Sequence, residues 1–202
     1  MSHCLVKMMD GSEELTALRR GAEVEDWNSC QRAVEMLLRR LSPIAAVRLA
    51  ARQLWSSLVS FERHHPSAKW AREHLARIED GEEHLRVPPE ALAEYPGPGG
   101  NNFVAGVEAL TEAYGADCDP DRRVHKAAHA VSQAVMVSAL DVGGTERPEI
   151  WRRWYERALS GARPSLDSHP LLEISNLERV AEHRRSRWFA IADELEALLG
   201  RE

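Results

Sequence analysis

Residues 42–66 read SPIAAVRLAARQLWSSLVSFERHHP, and the fold class turns on this stretch. Ser42 has the side chain of a helix cap, and Pro43 would occupy the first helical position, where its missing N–H is harmless. Ile44, Val47, Ala51, Leu54, Trp55, Leu58 and Phe61 then recur at spacings of three and four. That is helical periodicity, and it predicts one long helix with this stripe buried. His65 precedes Pro66, which disfavours helical geometry at His65 and ends the helix there.

Reading outward, the same pattern repeats. Residues 12–20 (SEELTALRR) predict a short first helix, capped by Ser12 and stopped by Gly21. Residues 25–41 place Trp27, Cys30, Val34, Leu37, Leu38 and Leu41 on one face. Residues 67–79 bury Trp70, Ala71, His74 or Leu75, and Ile78, with Gly81 as the stop. Residues 86–102 (RVPPEALAEYPGPGGNN) carry four prolines and three glycines. They read as an irregular surface loop, with a short helical turn at 89–94 and Asn101 or Asn102 capping the next helix. Residues 102–114 predict that helix through Phe103, Val107, Leu110 and Tyr114, ended by Gly115.

Asp119 and Pro120 open a helix over 120–140 with Val124, Ala128, Val131, Val135 and Ala139 as its apolar stripe. DVGGTERP (141–148) reads as a turn, 148–159 as a Trp-rich helix, and RPSLDSHP (163–170) as a loop. A last helix covers about 175–199. No period-two alternation runs far enough to predict a strand. The expected fold is all-α: a single domain over 1–202, seven to eight helices, orthogonal or bundle-like, with a flexible N-terminus over about 1–11. A long apolar helix, a Pro turn and a Trp-bearing helix occur twice, at 46–77 and 124–159, a pattern that admits an internal helical-hairpin duplication.

The chain has 202 residues, 44% hydrophobic and 29% charged, which suits one soluble globular domain. No apolar run is long enough to cross a membrane, and MSHCLVKMMDGSEEL lacks the features of a secretory signal. Three widely spaced cysteines (Cys4, Cys30, Cys118) without a CxxC pair read as reduced thiols, so a cytoplasmic location is expected. Arginine far outnumbers lysine, a bacterial high-GC signature. A net charge of −6 disfavours nucleic acid as partner.

Several stretches carry candidate chemistry. His125 and His129, in HKAAHA, are four apart, so both imidazoles project from one helix face toward a single point. With Glu62 and His64 they form a candidate set of ligands for zinc or another divalent metal, with a water in the open position and a hydrolase as the outcome. The HExxH glutamate is missing: Lys126, Ala127 and Ala128 fill that space. FERHHP also reads more plainly as a helix C-terminus, where cationic side chains suit the dipole. WRRWYERAL combines arginine with aromatics, the composition of interface hot spots. It nominates Trp154, Arg153 and Arg157, with Tyr95 in the Pro/Gly loop, as partner-binding residues. Trp151, Tyr155 and Ala158 are expected to face the core. No GxSxG, phosphate loop or nucleophile cysteine context appears, so no catalytic residue is nominated.

LVSFERHHPSAKWAREHLARIEDGEEH (58–84), followed by VHKAAHAVSQAVMV (124–137), resembles segments of small all-helical immunity proteins of bacterial polymorphic-toxin systems. The resemblance implies an acidic, cytoplasmic, non-catalytic protein that neutralises a toxin by binding it, with no cofactor. The negative charge suits fast, steered association with a basic toxin. A non-catalytic binding protein of immunity, inhibitor or adaptor type is therefore the leading expectation. The metal-binding helical protein is its alternative, and a subunit forming a homodimer through its Trp-bearing helices is a third reading.

Overall fold

A computed structural model describes residues 11–82, 85–92, 95, 97–115, 117–159, 174 and 177–200, the side chains of residues 92, 154, 155 and 157–159 excepted. The described residues hold eight α-helices and no strand, as expected. They are α1 (Ser12–Glu23), α2 (Trp27–Leu38), α3 (Pro43–His64), α4 (Trp70–Glu79), α5 (Gly100–Tyr114), α6 (Pro120–Glu146), α7 (Pro148–Leu159) and α8 (Glu178–Leu199). A 3-10 turn, Pro89–Leu92, precedes α5. The expected flexible N-terminus and the 163–170 loop lie outside the described residues.

Local chemistry explains several boundaries. Ser42 accepts a hydrogen bond from the Ala45 amide, with Pro43 in the first turn of α3. Asp119 accepts one from the Arg122 amide, 2.9 Å, with Pro120 behind it. Each cap satisfies an amide that the helix itself leaves free.

The fold is organised around α6, which packs against α2, α3, α5, α7 and α8. Its inner surface is mostly alanine and valine: Val124, Ala127, Ala128, Ala130, Val131, Ala134 and Val135 are all buried. Short side chains let neighbouring helix axes approach closely. α3 supplies the larger groups, Leu54, Leu58 and Phe61, and the Phe61 ring stacks on Phe103 of α5 at a centroid distance of 4.3 Å. A second, smaller cluster of Ala139, Leu140, Ile150, Ile174 and Val180 forms around the far end of α6.

Four sequence expectations are corrected. Gly21 does not stop α1; it lies inside the helix, where a side chain would press on Cys30 Sγ and the Asp26 carbonyl of the neighbouring helix. Residues 141–146 are not a turn: α6 continues through Gly143 and Gly144 to Glu146. Those glycines are needed for close approach, since a Cβ on Gly143 would collide with Ile174 and one on Gly144 with Pro98. α5 begins at Gly100, and its cap is Gly99 in the left-handed region (φ 75°), with no side-chain cap. The asparagines bond elsewhere: Asn101 Oδ1 accepts from the Tyr95 amide, and Asn102 Nδ2 donates to Gln133 Oε1 at 2.7 Å.

The fourth correction concerns α3. Val47, Ala51, Leu54, Leu58 and Phe61 are buried, yet Ile44 is 61% exposed and Trp55 only half-buried. α5 and α6 cover an arc of about 200° on α3, and Ile44 and Trp55 fall at its edge.

Candidate functional sites on the third helix

The last turn of α3, Glu62-Arg63-His64-His65, sends its four side chains to three places. Glu62 takes a two-point hydrogen bond from Arg72 of α4, Nε to Oε1 at 3.0 Å and Nη2 to Oε2 at 2.6 Å. Arg63 and His64 both reach Asp141 of α6. Arg63 Nη1 donates to Oδ2, and His64 Nε2 donates to Oδ1 at 2.9 Å. His65 turns inward among Phe61, Tyr95 and Gly97.

Asp141 is a buried charge. Burial pushes its carboxyl upward. Hydrogen bonds from His64 and Ser60, and the charge of Arg63, outweigh that and hold it below the ordinary aspartate value. It is therefore ionised, and it ties the end of α3 to α6. An ionised buried carboxylate is tolerated where its lone pairs are filled this way. His183 of α8 feels the same charge, although burial lowers its pKa on balance. Sequence reading missed Asp141 because it begins DVGGTERP. The available signal was its spacing, four residues beyond the buried Val137 and seven beyond the buried Ala134, had α6 been carried past residue 140.

His65 has no such partner. Burial, then the neighbouring His64 charge, lowers its pKa to about 4, so it is a neutral ring in an aromatic cluster. Phe61, Trp70, Tyr95 and Phe103 complete that cluster. The Tyr95 hydroxyl accepts from Trp70 Nε1 at 2.6 Å and donates to the Glu90 carbonyl at 2.7 Å. Tyr95, nominated as a partner-binding residue, is thus half-buried with its hydroxyl engaged within the chain.

The metal-ligand candidates are not brought together. His64 touches Asp141, and His125 lies sixteen residues earlier on the same helix, about 24 Å along its axis. His125 is exposed, with Nδ1 3.0 Å from Glu35 Oε2 of α2. His129 is half-buried and accepts from Gln133 Nε2 at 3.3 Å. Burial, then the Lys126 charge, lowers the His129 pKa. Glu62 is occupied by Arg72. Among the described residues, no group of three or more His, Cys, Asp or Glu side chains is placed to hold a metal ion. Of the Trp-rich helix, Arg153 is exposed and lies near Glu149. The side chains of Trp154, Tyr155, Arg157 and Ala158 lie outside those described, and Trp151 is half-buried against the smaller cluster.

A different surface stands out. Among the described residues, four large apolar side chains are exposed: Val24, Met36, Ile44 and Val59. Two of them, Ile44 and Val59, belong to α3. With Arg48, Arg52 and the half-buried Trp55, they fall within about 80° of the helix circumference, on the side turned away from α5 and α6. The stripe runs about 22 Å from Ile44 to Val59. Arg72 of α4 lies over the Trp55 ring, with Cζ 5.8 Å from its centroid. Arginine, tryptophan and branched aliphatics together are the composition of protein-interface centres.

In comparison with known proteins, the chain matches no family model, no curated protein and no solved structure. No helix among the described residues is long and apolar enough to cross a membrane.

Proposed function

We propose that this chain is a non-catalytic binding protein of immunity, inhibitor or adaptor type, and that it docks another protein on the outer face of α3. The observation that supports the reading is the stripe itself. A long helix buries its inner arc well and yet leaves Ile44 and Val59 exposed and Trp55 half-buried at the edge, interleaved with arginines. Isolated exposed aliphatics are ordinary, but a row of them beside a tryptophan on one rigid helix forms a patch. The sequence resemblance to immunity proteins points the same way, as does the lack of a recognisable nucleophile or phosphate loop in the sequence.

The test is cross-linked capture from cells that express the protein, comparing wild type with an Ile44→Asp/Val59→Asp variant. Both positions are exposed, so the variant should keep its helical circular dichroism. A partner held by wild type and lost by the folded variant is the expected result. Capture that ignores the substitutions, or turnover of a substrate by the purified chain, would overturn the reading.

A further inference from the structure

We infer that the segment docking on the outer face of α3 is acidic and amphipathic: a helix offering carboxylates to Arg48, Arg52, Arg63 and Arg72 and an apolar edge to Ile44, Trp55 and Val59. The inference rests on the binding reading above and names the chemistry of the partner. It also reverses the sign that net charge suggests. The chain as a whole carries −6, which suits a basic partner. This one ridge carries the opposite charge.

The geometry of the ion pairs makes the case. Three arginines along the ridge are paired, and in each pair the guanidinium is the outward member. Arg72 is 56% exposed and its partner Glu62 29%. Arg52 is 47% exposed and Glu194 of α8 31%. Arg63 is 54% exposed and Asp141 6%. The carboxylates sit behind and the guanidiniums in front, so an approaching chain meets positive charge. Arg48 is exposed and has no ion pair among the described residues. A guanidinium already bound on one edge keeps N–H groups free on the other, which suits a second carboxylate. The apolar side chains lie between these charges rather than apart from them. A partner helix of similar length would set its apolar edge on Trp55 and its acidic positions on the flanking arginines. Charge of this kind sets orientation and on-rate more than raw affinity.

The probes are two fluorescein-labelled amphipathic peptides of about 18 residues, long enough to span the ridge as helices. One carries Leu on one face and Glu on the other, and its counterpart carries Lys in place of Glu. Fluorescence anisotropy is read against wild type, Arg48→Glu and Ile44→Ser/Val59→Ser, with vesicles containing phosphatidylserine as a third probe. Arg48 makes no ion pair among the described residues, so its reversal leaves the fold intact. The expected result is that wild type binds the acidic peptide at least about tenfold tighter than the basic one. Arg48→Glu and the apolar variant each weaken that binding, and added salt does the same. Preference for the basic peptide, lost in the apolar variant, would overturn the acidic partner while leaving α3 as the docking face. Acidic-peptide binding that ignores Arg48→Glu, no binding of either peptide, or Arg48-dependent binding to vesicles alone would each overturn the inference. Partner capture by wild type, lost in Ile44→Asp/Val59→Asp, would show separately whether the docking face itself stands.

Discussion

Asp141 illustrates how one buried charge is held by its donors. Its carboxylate accepts from Arg63 and His64, and both donors come from the last turn of α3. Asp141→Asn keeps the size, loses the charge and turns an N–H pair toward one of two donors. The expected cost is about 1–3 kcal/mol, read from the urea midpoint. The pH sign comes from the depressed folded-state value. The stabilisation is present above the ordinary aspartate range and is lost as pH falls through the folded pKa, because the unfolded chain binds the proton first. Arg63→Ala and His64→Ala share this partner. A double-mutant cycle should therefore show coupling of at least about 0.5 kcal/mol; additive costs would mean that Asp141 is not the common anchor.

On the scale of the elements, α6 shows what periodicity reads and what it does not. Val124, Ala128, Val131, Val135 and Ala139 were legible as a buried stripe because each recurs at helical spacing. The helix end was not, since Gly143-Gly144 followed by Pro148 has the composition of a turn. Tertiary contact decides otherwise: the glycines lie where Ile174, Val180, Pro98 and Trp151 come closest. Gly143→Ala makes the test. Alanine gains about 1 kcal/mol of helix propensity, but the new methyl would lie inside contact distance of the Ile174 and Val180 side chains, and overpacking costs about 1–3 kcal/mol. Net destabilisation is expected in thermal unfolding, and a stabilised variant would mean that the helix ends earlier. α3 carries the reciprocal lesson. Its apolar residues were legible, but the i, i+3, i+4 pattern was wide enough to hide that Ile44 and Trp55 belong to the outer arc. Only the positions of α5 and α6 separate core from surface there. The candidate metal ligands lie apart for a related reason: HxxxH fixes two rings on one helix, and nothing in the spacing says that His64 meets that helix sixteen residues further along.

Across the whole molecule, protonation of four described histidines works against folding. His65, His74, His129 and His183 are each lowered, in every case by burial first. His74 is the deepest. Its Nε2 donates to Thr111 Oγ1 at 2.8 Å, because the Thr111 hydroxyl already donates to the Val107 carbonyl, and its Nδ1 is buried without a partner among the described residues. A proton added there has no acceptor to meet. In the unfolded chain these rings titrate near 6.5, so between that value and the folded ones the unfolded state binds more protons. Stability therefore rises with pH across this window and falls on acidification. For His65, whose folded value is about 4, the loss reaches about 1–3 kcal/mol by the bottom of the window. Urea midpoints taken at about pH 7.5 and about pH 5 should show a clear drop at the lower value, before most carboxylates titrate. His65→Phe keeps the aromatic contacts with Phe61 and Tyr95 and removes the titrating group, so its profile should be flatter than that of wild type. An unchanged slope would place the pH dependence on the other three rings. A midpoint that does not move between the two pH values would mean that the rings accept protons in the folded state as readily as in water.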